Sequence, residues 1–133
     1  EKLEARSAFA QKKINVLLQV NLSREITKSG LHDWEDILQV SETILSGKWL
    51  KLRGLMTIPA PNIGETPTRK IYEKLRVWRD KLQQELDSAE ITELSMGMTA
   101  DFHWAIQEGA TMIRVGSAIF GERNEDMDCP TNM

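Results

Sequence analysis

An alternation of short apolar runs with longer amphipathic segments constrains the fold more than any other feature of this sequence. Four runs are rich in apolar and β-branched residues, which is typical of strands buried on both faces of a parallel sheet. The sequence therefore predicts four strands, over residues 14–22, 50–58, 91–98 and 111–115.

The segments between these runs have helical character. One carries apolar side chains at helical spacing and stops at Gly47, a residue type that commonly ends helices. Another forms a single apolar stripe, with Thr66 or Thr68 as its predicted N-cap. Helices are thus predicted over residues 1–13, 32–46, 69–87 and 100–108.

The resulting order of elements, β-α-β-α-β-α-β, is typical of a parallel α/β sheet with right-handed crossovers. Two architectures share this order, a doubly wound open sheet and a (β/α)8 barrel. A barrel needs about 250 residues for its eight units, so four strands correspond to half of one. In both architectures the loops after the C-terminal ends of the strands carry the functional residues.

Composition limits the functions to be considered. The chain has 133 residues, which is one domain's worth of globular protein, and its net charge of −3 offers no basic field for nucleic acid or an anionic membrane. No apolar run reaches the roughly 18 residues of a membrane span. A single cysteine, Cys129, excludes a disulfide within the chain, and His32 and His103 lack the neighbours of a metal site. We therefore expect a cytoplasmic protein without a metal.

Residues 95–121 contain a candidate anion site. One strand end leads to Thr99, and the next leads through Arg114 to Gly116 and Ser117. Glycine lets a backbone N–H approach a ligand closely, and a nearby hydroxyl adds a further donor. The pattern predicts a phosphate cradle. Two plainer roles stay open, because Thr99 could cap the helix that begins at Ala100 and Arg114 could be a structural ion-pair partner.

Three stretches of the sequence are distinctive: NVLLQVNLSREITKSGL, LRGLMTIPAP and ELSMGMTADFHWAIQEGATMIRVGSAIFGER. Together they resemble the pyridoxal-5′-phosphate homeostasis protein family, the single-domain relatives of the alanine racemase N-terminal barrel. The resemblance covers residues 14–123. It implies that the chain is the second half, strands five to eight, of a (β/α)8 TIM barrel of the alanine racemase N-terminal type, and that its cofactor is pyridoxal 5′-phosphate (PLP).

The same resemblance implies roles for individual residues. Thr99, Gly116 and Ser117 would hold the phosphate, Thr99 standing where family members have serine. Arg114 would lie beside the pyridine nitrogen. A permanently cationic guanidinium disfavours protonation of that nitrogen, which suits a carrier or a racemase-like proton transfer better than transamination.

Two more residues complete the predicted cofactor site. Lys28 occupies the loop in which the racemase relatives place a basic residue near the phenolic oxygen, although a solvated lysine is the plainer interpretation. Of Met56, Met96 and Met98, at least one is expected to line the ring, and Met98 is the predicted one; filling the core is the usual role of the others.

The covalent lysine of the family has no counterpart here. It lies on the first strand of the barrel, in a motif like AVSKT, which this chain lacks. We therefore expect residues 1–121 to be a partial PLP-binding barrel domain and residues 122–133 to be a polar tail. Such a fragment needs the missing N-terminal half-barrel or a second copy to close the fold, because four strands leave two bare sheet edges.

Two classes of function remain open. The resemblance implies a non-catalytic PLP-binding protein in vitamin B6 and amino-acid homeostasis. The alternative is an enzyme, either a PLP-dependent amino-acid racemase or a phosphosugar-type barrel enzyme. A racemase needs a second acid or base, which the relatives take from another domain. A phosphosugar enzyme needs a Glu or His base at a strand end, and none stands out at the four strand ends here. The carrier is the favoured interpretation.

Overall fold

A computed structural model of the chain describes residues 2–23 and 29–121. Within these residues helices and strands alternate as the sequence predicts. The helices are α1 (Lys2–Phe9), α2 (Trp34–Ser46), α3 (Glu65–Glu85), α4 (Phe102–Gln107) and α5 (Ser117–Phe120), and the strands are β1 (Ile14–Gln19), β2 (Leu50–Met56), β3 (Glu93–Met98) and β4 (Met112–Arg114).

The four strands form one parallel sheet in the order β1-β2-β3-β4. A doubly wound sheet reverses its strand order part-way, and this sheet does not. The sequential order is the one that successive units of a (β/α) barrel adopt. Because all four strands run in the same direction, the loops after β3 and β4 emerge side by side at one edge of the sheet.

The helices pack against the sheet, and the two form an apolar core between them. Helix α3 contributes Tyr72, Leu75 and Leu82, each fully buried, which confirms the predicted apolar stripe. Fully burying one such side chain contributes roughly 1.5–3 kcal/mol. The core as a whole consists of Leu18, Val20, Ile37, Leu52, Leu55, Tyr72, Leu75, Leu82, Ile91, Leu94, Met96 and Ala105.

The start of α3 differs from the prediction. The helix begins at Glu65, ahead of both predicted caps, and Gly64 is its N-cap residue with a φ of 89°. Pro67 lies in the first turn, where a missing N–H costs nothing, so the helix extends through it. Thr68 therefore lies inside the helix, and its hydroxyl donates to the Gly64 carbonyl at 2.7 Å.

Several sequence predictions concern parts of the chain that the structure does not describe. Residues 122–133, the predicted tail, lie outside the described residues and include Cys129.

Among the described residues, no helix is long and apolar enough to cross a membrane, and no group of acidic, histidine and cysteine side chains could hold a metal ion. The domain boundary at residue 121 stays a prediction.

A close approach between β2 and β3 depends on Gly54. This residue lies opposite Glu93 in the parallel register. A Cβ atom at position 54 would lie 1.8 Å from the backbone oxygen of Glu93, far inside any van der Waals contact. Only glycine therefore permits the observed spacing of the two strands here.

We expect Gly54→Ala to lower the free energy of unfolding by about 3 kcal/mol, because backbone atoms of two strands must move apart. Urea denaturation measures the loss. The matched control is Gly64→Ala, where a Cβ meets nothing within 4 Å but φ is 89°. With ψ at 167°, this backbone conformation is adopted almost only by glycine, and it alone costs about 1–3 kcal/mol. A loss at position 54 no larger than that at position 64 would contradict the close-approach argument.

Candidate functional site

The loops that follow β3 and β4 meet through Thr99 and Gly116. The Gly116 backbone N–H donates to the Thr99 hydroxyl oxygen at 3.2 Å. Gly116 is exposed, and a Cβ there would find no atom within 4 Å. The contact therefore lies in the open, where a ligand can approach the amide. The structure brings these two predicted residues together as the strand-end argument required.

Ser117 follows directly and opens α5, a single turn. The Gly116 carbonyl accepts from the backbone N–H groups of Ile119 and Phe120, both at 2.9 Å. Ser117 itself is exposed. The turn thus presents Ser117 at the same edge of the sheet as the Thr99 and Gly116 pair.

Arg114 is anchored to β2 and β3 by its guanidinium. Its Nη1 donates to the Ser95 hydroxyl at 3.3 Å and its Nη2 donates to the Thr57 carbonyl at 2.9 Å. Within residues 2–23 and 29–121, no carboxylate lies within 4 Å of the guanidinium. The described contacts thus favour an oriented cation at the sheet edge over the ion-pair role.

Thr57 links the strand ends on which Arg114 rests. Its buried hydroxyl donates to the Val20 carbonyl at 2.8 Å, and its N–H donates to the Ser95 carbonyl at 3.1 Å. Through Thr57 the ends of β1, β2 and β3 are joined next to the arginine. This network fixes the direction in which Arg114 points.

Met98 and Lys28 are the remaining residues of the predicted cofactor site. Met98 is 46% exposed at the end of β3, so its side chain is accessible from the site edge. Lys28 lies outside the described residues. The roles of both toward a cofactor stay predictions.

Sequence reasoning missed Ser95, Thr57 and Asp101. Ser95 and Thr57 are polar residues at buried positions of apolar strands, a pattern that points to a partner inside the sheet. Asp101 stands two residues after Thr99 at the start of α4, and its carboxylate accepts from the Met98 N–H at 2.7 Å. These signals were present, but the partners could not be named without the fold.

Tyr72 lies buried beneath this edge. Within the described residues its hydroxyl makes no hydrogen bond of good geometry, although the Asp101 carboxylate and the Gly97 backbone lie close enough to act on it. Burial raises the pKa of Tyr72 well above its usual range, and the nearby Asp101 carboxylate raises it further, while Arg114 and the Gly97 backbone oppose the shift. Tyr72 is therefore neutral in the folded protein at neutral pH.

We expect the free energy of unfolding to fall as pH rises above about 10, because the unfolded chain then releases the tyrosine proton and the folded chain retains it. The full contribution of Tyr72 is present below that pH. Tyr72 is the sole tyrosine of the sequence, so tyrosinate absorbance reports on it directly. Tyr72→Phe, the control, should lose this pH dependence and keep its stability near neutral pH. Ionisation of folded Tyr72 at the ordinary pKa would contradict the assignment.

A family model described as "Alanine racemase, N-terminal domain" matches residues 1–124. The chain belongs to this family. Curated relatives in the same family carry the name pyridoxal phosphate homeostasis protein. The relative from Pasteurella multocida is 40% identical over 124 residues, which is 93% of this chain and 53% of the relative. The relative from Haemophilus influenzae is 43% identical over 111 residues, 84% of this chain and 46% of the relative.

Several solved structures resemble this one. PipY from Synechococcus elongatus without PLP has a TM-score of 0.84 at 32% identity, covering 90% of this chain and 55% of PipY. The structure of PipY with PLP bound has a TM-score of 0.81 at 31% identity, with the same coverage. Alanine racemase from Clostridium difficile, at 19% identity and a TM-score of 0.69 over 94% of this chain and 34% of the racemase, shares the fold.

The comparisons confirm the resemblance to PLP homeostasis proteins and correct one part of it. The sequence analysis placed the chain in the second half of a barrel, as strands five to eight. That placement is wrong: the match over residues 1–124 is to the N-terminal domain, and the structure consists of four parallel strands alternating with helices. The hydrophobic pattern could not decide the placement, since every (β/α) unit repeats the same pattern. The chain spans about half the length of the curated relatives it matches.

Proposed function

We propose that this chain binds PLP through its phosphate group and that the protein is a non-catalytic carrier in vitamin B6 and amino-acid homeostasis. The observation that carries the proposal is the contact between the Thr99 hydroxyl and the Gly116 N–H at the strand-end loops. The relatives named PLP homeostasis proteins and the PLP-bound structure of PipY support it.

The residues at this edge fit a phosphate. The Gly116 N–H is satisfied by a neutral hydroxyl at 3.2 Å, and a charged phosphate oxygen is a stronger acceptor. The Thr99 hydroxyl accepts from that amide through its oxygen and keeps its own proton, so it can donate to the same phosphate. The open space at Gly116 lets the phosphate approach the backbone. Ser117 lies next in the chain and adds its hydroxyl and N–H.

Arg114 suits the ring of the cofactor. When bound, PLP supplies an aldehyde and a pyridine ring that can withdraw electrons. An arginine beside the ring nitrogen disfavours its protonation and so weakens this withdrawal. Because Ser95 and Thr57 hold two nitrogens of the guanidinium, Arg114 is oriented before the cofactor arrives. This combination favours holding the cofactor over catalysis on it.

The sheet has two edge strands that could pair with further strands. Among the described residues, β1 and β4 each have a strand on one side alone. We propose that further strands close the sheet, either from a longer form of this protein or from a second copy, and that a lysine outside the described residues supplies any covalent attachment. Lys28 is the candidate within this sequence.

The first experiment is an absorbance titration of the purified chain with PLP, followed by borohydride reduction and intact-mass measurement. Binding without a covalent adduct indicates that the chain holds the phosphate and another segment supplies the lysine. An adduct that maps to Lys28 indicates a covalent site within this sequence. No spectral change at millimolar PLP, in a chain shown to be folded, would contradict the proposed function.

We expect Thr99→Val to weaken PLP binding by about 10- to 100-fold, because a hydrogen bond to a charged phosphate is lost without a change in side-chain volume. Thr99→Ser, the matched control, keeps the hydroxyl and should bind PLP within about threefold of the unmodified chain. Pyridoxal, which lacks the phosphate, should bind all three proteins alike. Equal PLP affinities for the valine and serine variants would remove Thr99 from the phosphate site.

A further inference from the structure

Residues 98–101 form a tight turn that carries Thr99 at its tip. The turn is closed in both directions between its two ends. The Met98 N–H donates to Asp101 Oδ1 at 2.7 Å, and the Asp101 N–H donates to the Met98 carbonyl at 3.0 Å. Gly97, with a φ of 97°, redirects the chain immediately before the turn. The position of Thr99 is thus set by contacts on both sides of it.

The Asp101 end of the turn is held by the backbone hydrogen bonds of α4. Its carbonyl accepts from the N–H groups of Trp104 and Ala105 at 3.0 and 3.2 Å, and Ala105 is fully buried. At the far end of α4, Glu108 binds Arg69 of α3 at 2.8 Å with little exposure of its side chain. The backbone of Asp101 is therefore held by α4 while its carboxylate accepts from the Met98 N–H.

The Asp101 side chain is not used for helix capping. Asp101 is the N-cap residue of α4 by position, but its carboxylate makes no capping hydrogen bond to the helix. An N-cap carboxylate ordinarily accepts from an amide in the first turn of its own helix. Here the carboxylate accepts from the strand-end amide on the other side of Thr99. Its hydrogen bond from the Met98 N–H thus closes the loop, and the same carboxylate also lies beside the buried Tyr72 hydroxyl.

We propose that Asp101 is a positioning residue for phosphate binding, acting by holding the turn that places the Thr99 hydroxyl against the Gly116 amide. This inference rests on the proposed function. The Asp101 oxygen accepts from the Met98 N–H at 2.7 Å, a short hydrogen bond that closes the turn. Without an acceptor at position 101, the Met98 N–H is released and Thr99 loses its fixed place beside Gly116.

The test compares Asp101→Ala, Asp101→Asn and the unmodified chain for binding of PLP and of pyridoxal. We expect Asp101→Ala to weaken PLP binding by at least about 10-fold and to leave pyridoxal binding unchanged, since the loss concerns the phosphate. Asp101→Asn keeps an oxygen that accepts from the Met98 N–H, so it should bind PLP within about threefold. Rescue by asparagine distinguishes loop positioning from a general need for charge.

The outcomes separate the inference from the proposed function. Failure of the unmodified chain to bind PLP overturns the proposed function and this inference with it. Binding by the unmodified chain with an equal affinity of Asp101→Ala overturns the inference alone, and so does a folded Asp101→Asn that binds as weakly as Asp101→Ala.

Hydrogen exchange on the unmodified chain tests the inference even where Asp101→Ala does not fold. The Met98 amide, bonded to the carboxylate, should exchange more slowly than the amide of Thr99 at the tip of the turn. Exchange of the Met98 amide at the rate of an exposed amide would show that Asp101 does not close the turn, and would overturn the inference.

Discussion

The candidate site depends on one constraint, the parallel register that brings the C-terminal ends of the strands to a single edge. That register needs Gly54, whose missing side chain lets β2 lie against the Glu93 backbone. At the edge itself, hydrogen bonds from Thr57 join three strand ends and give Arg114 its support. The loops after β3 and β4 can then meet through Thr99. A substitution that changes the spacing of β2 and β3 would therefore displace the site residues, although none of them is itself substituted.

The sequence predicted the strands where the apolar pattern is repetitive, and it predicted the proximity of Thr99 and Gly116 where the residue types are unusual. Apolar runs and helical stripes located every strand, and the hydroxyl and glycine pattern located Thr99 and Gly116 correctly beside each other. Asp101 was missed because its partner is a backbone amide, which no side-chain pattern records. The start of α3 was missed because Gly64 serves as N-cap where a threonine was expected.

The placement of the chain within the barrel is a different kind of failure. Each (β/α) unit is built from the same alternation of a buried strand and an amphipathic helix, so the pattern identifies the unit and not its position. The family match to the N-terminal domain supplied that information. The four units do share the edge on which ligands bind in such folds. The chemistry at that edge, with an oriented Arg114 and an open Gly116, is compatible with holding an anionic cofactor.

The most direct test of this account is an amide-resolved NMR titration of the chain with PLP. The account predicts that the largest shifts occur at the backbone amides of Thr99, Gly116 and Ser117, with the Arg114 guanidinium following, and that inorganic phosphate reproduces the shifts at the first three. Shifts centred elsewhere, for example between Trp34 and Trp78 where α2 packs on α3, with these amides unmoved, would contradict it.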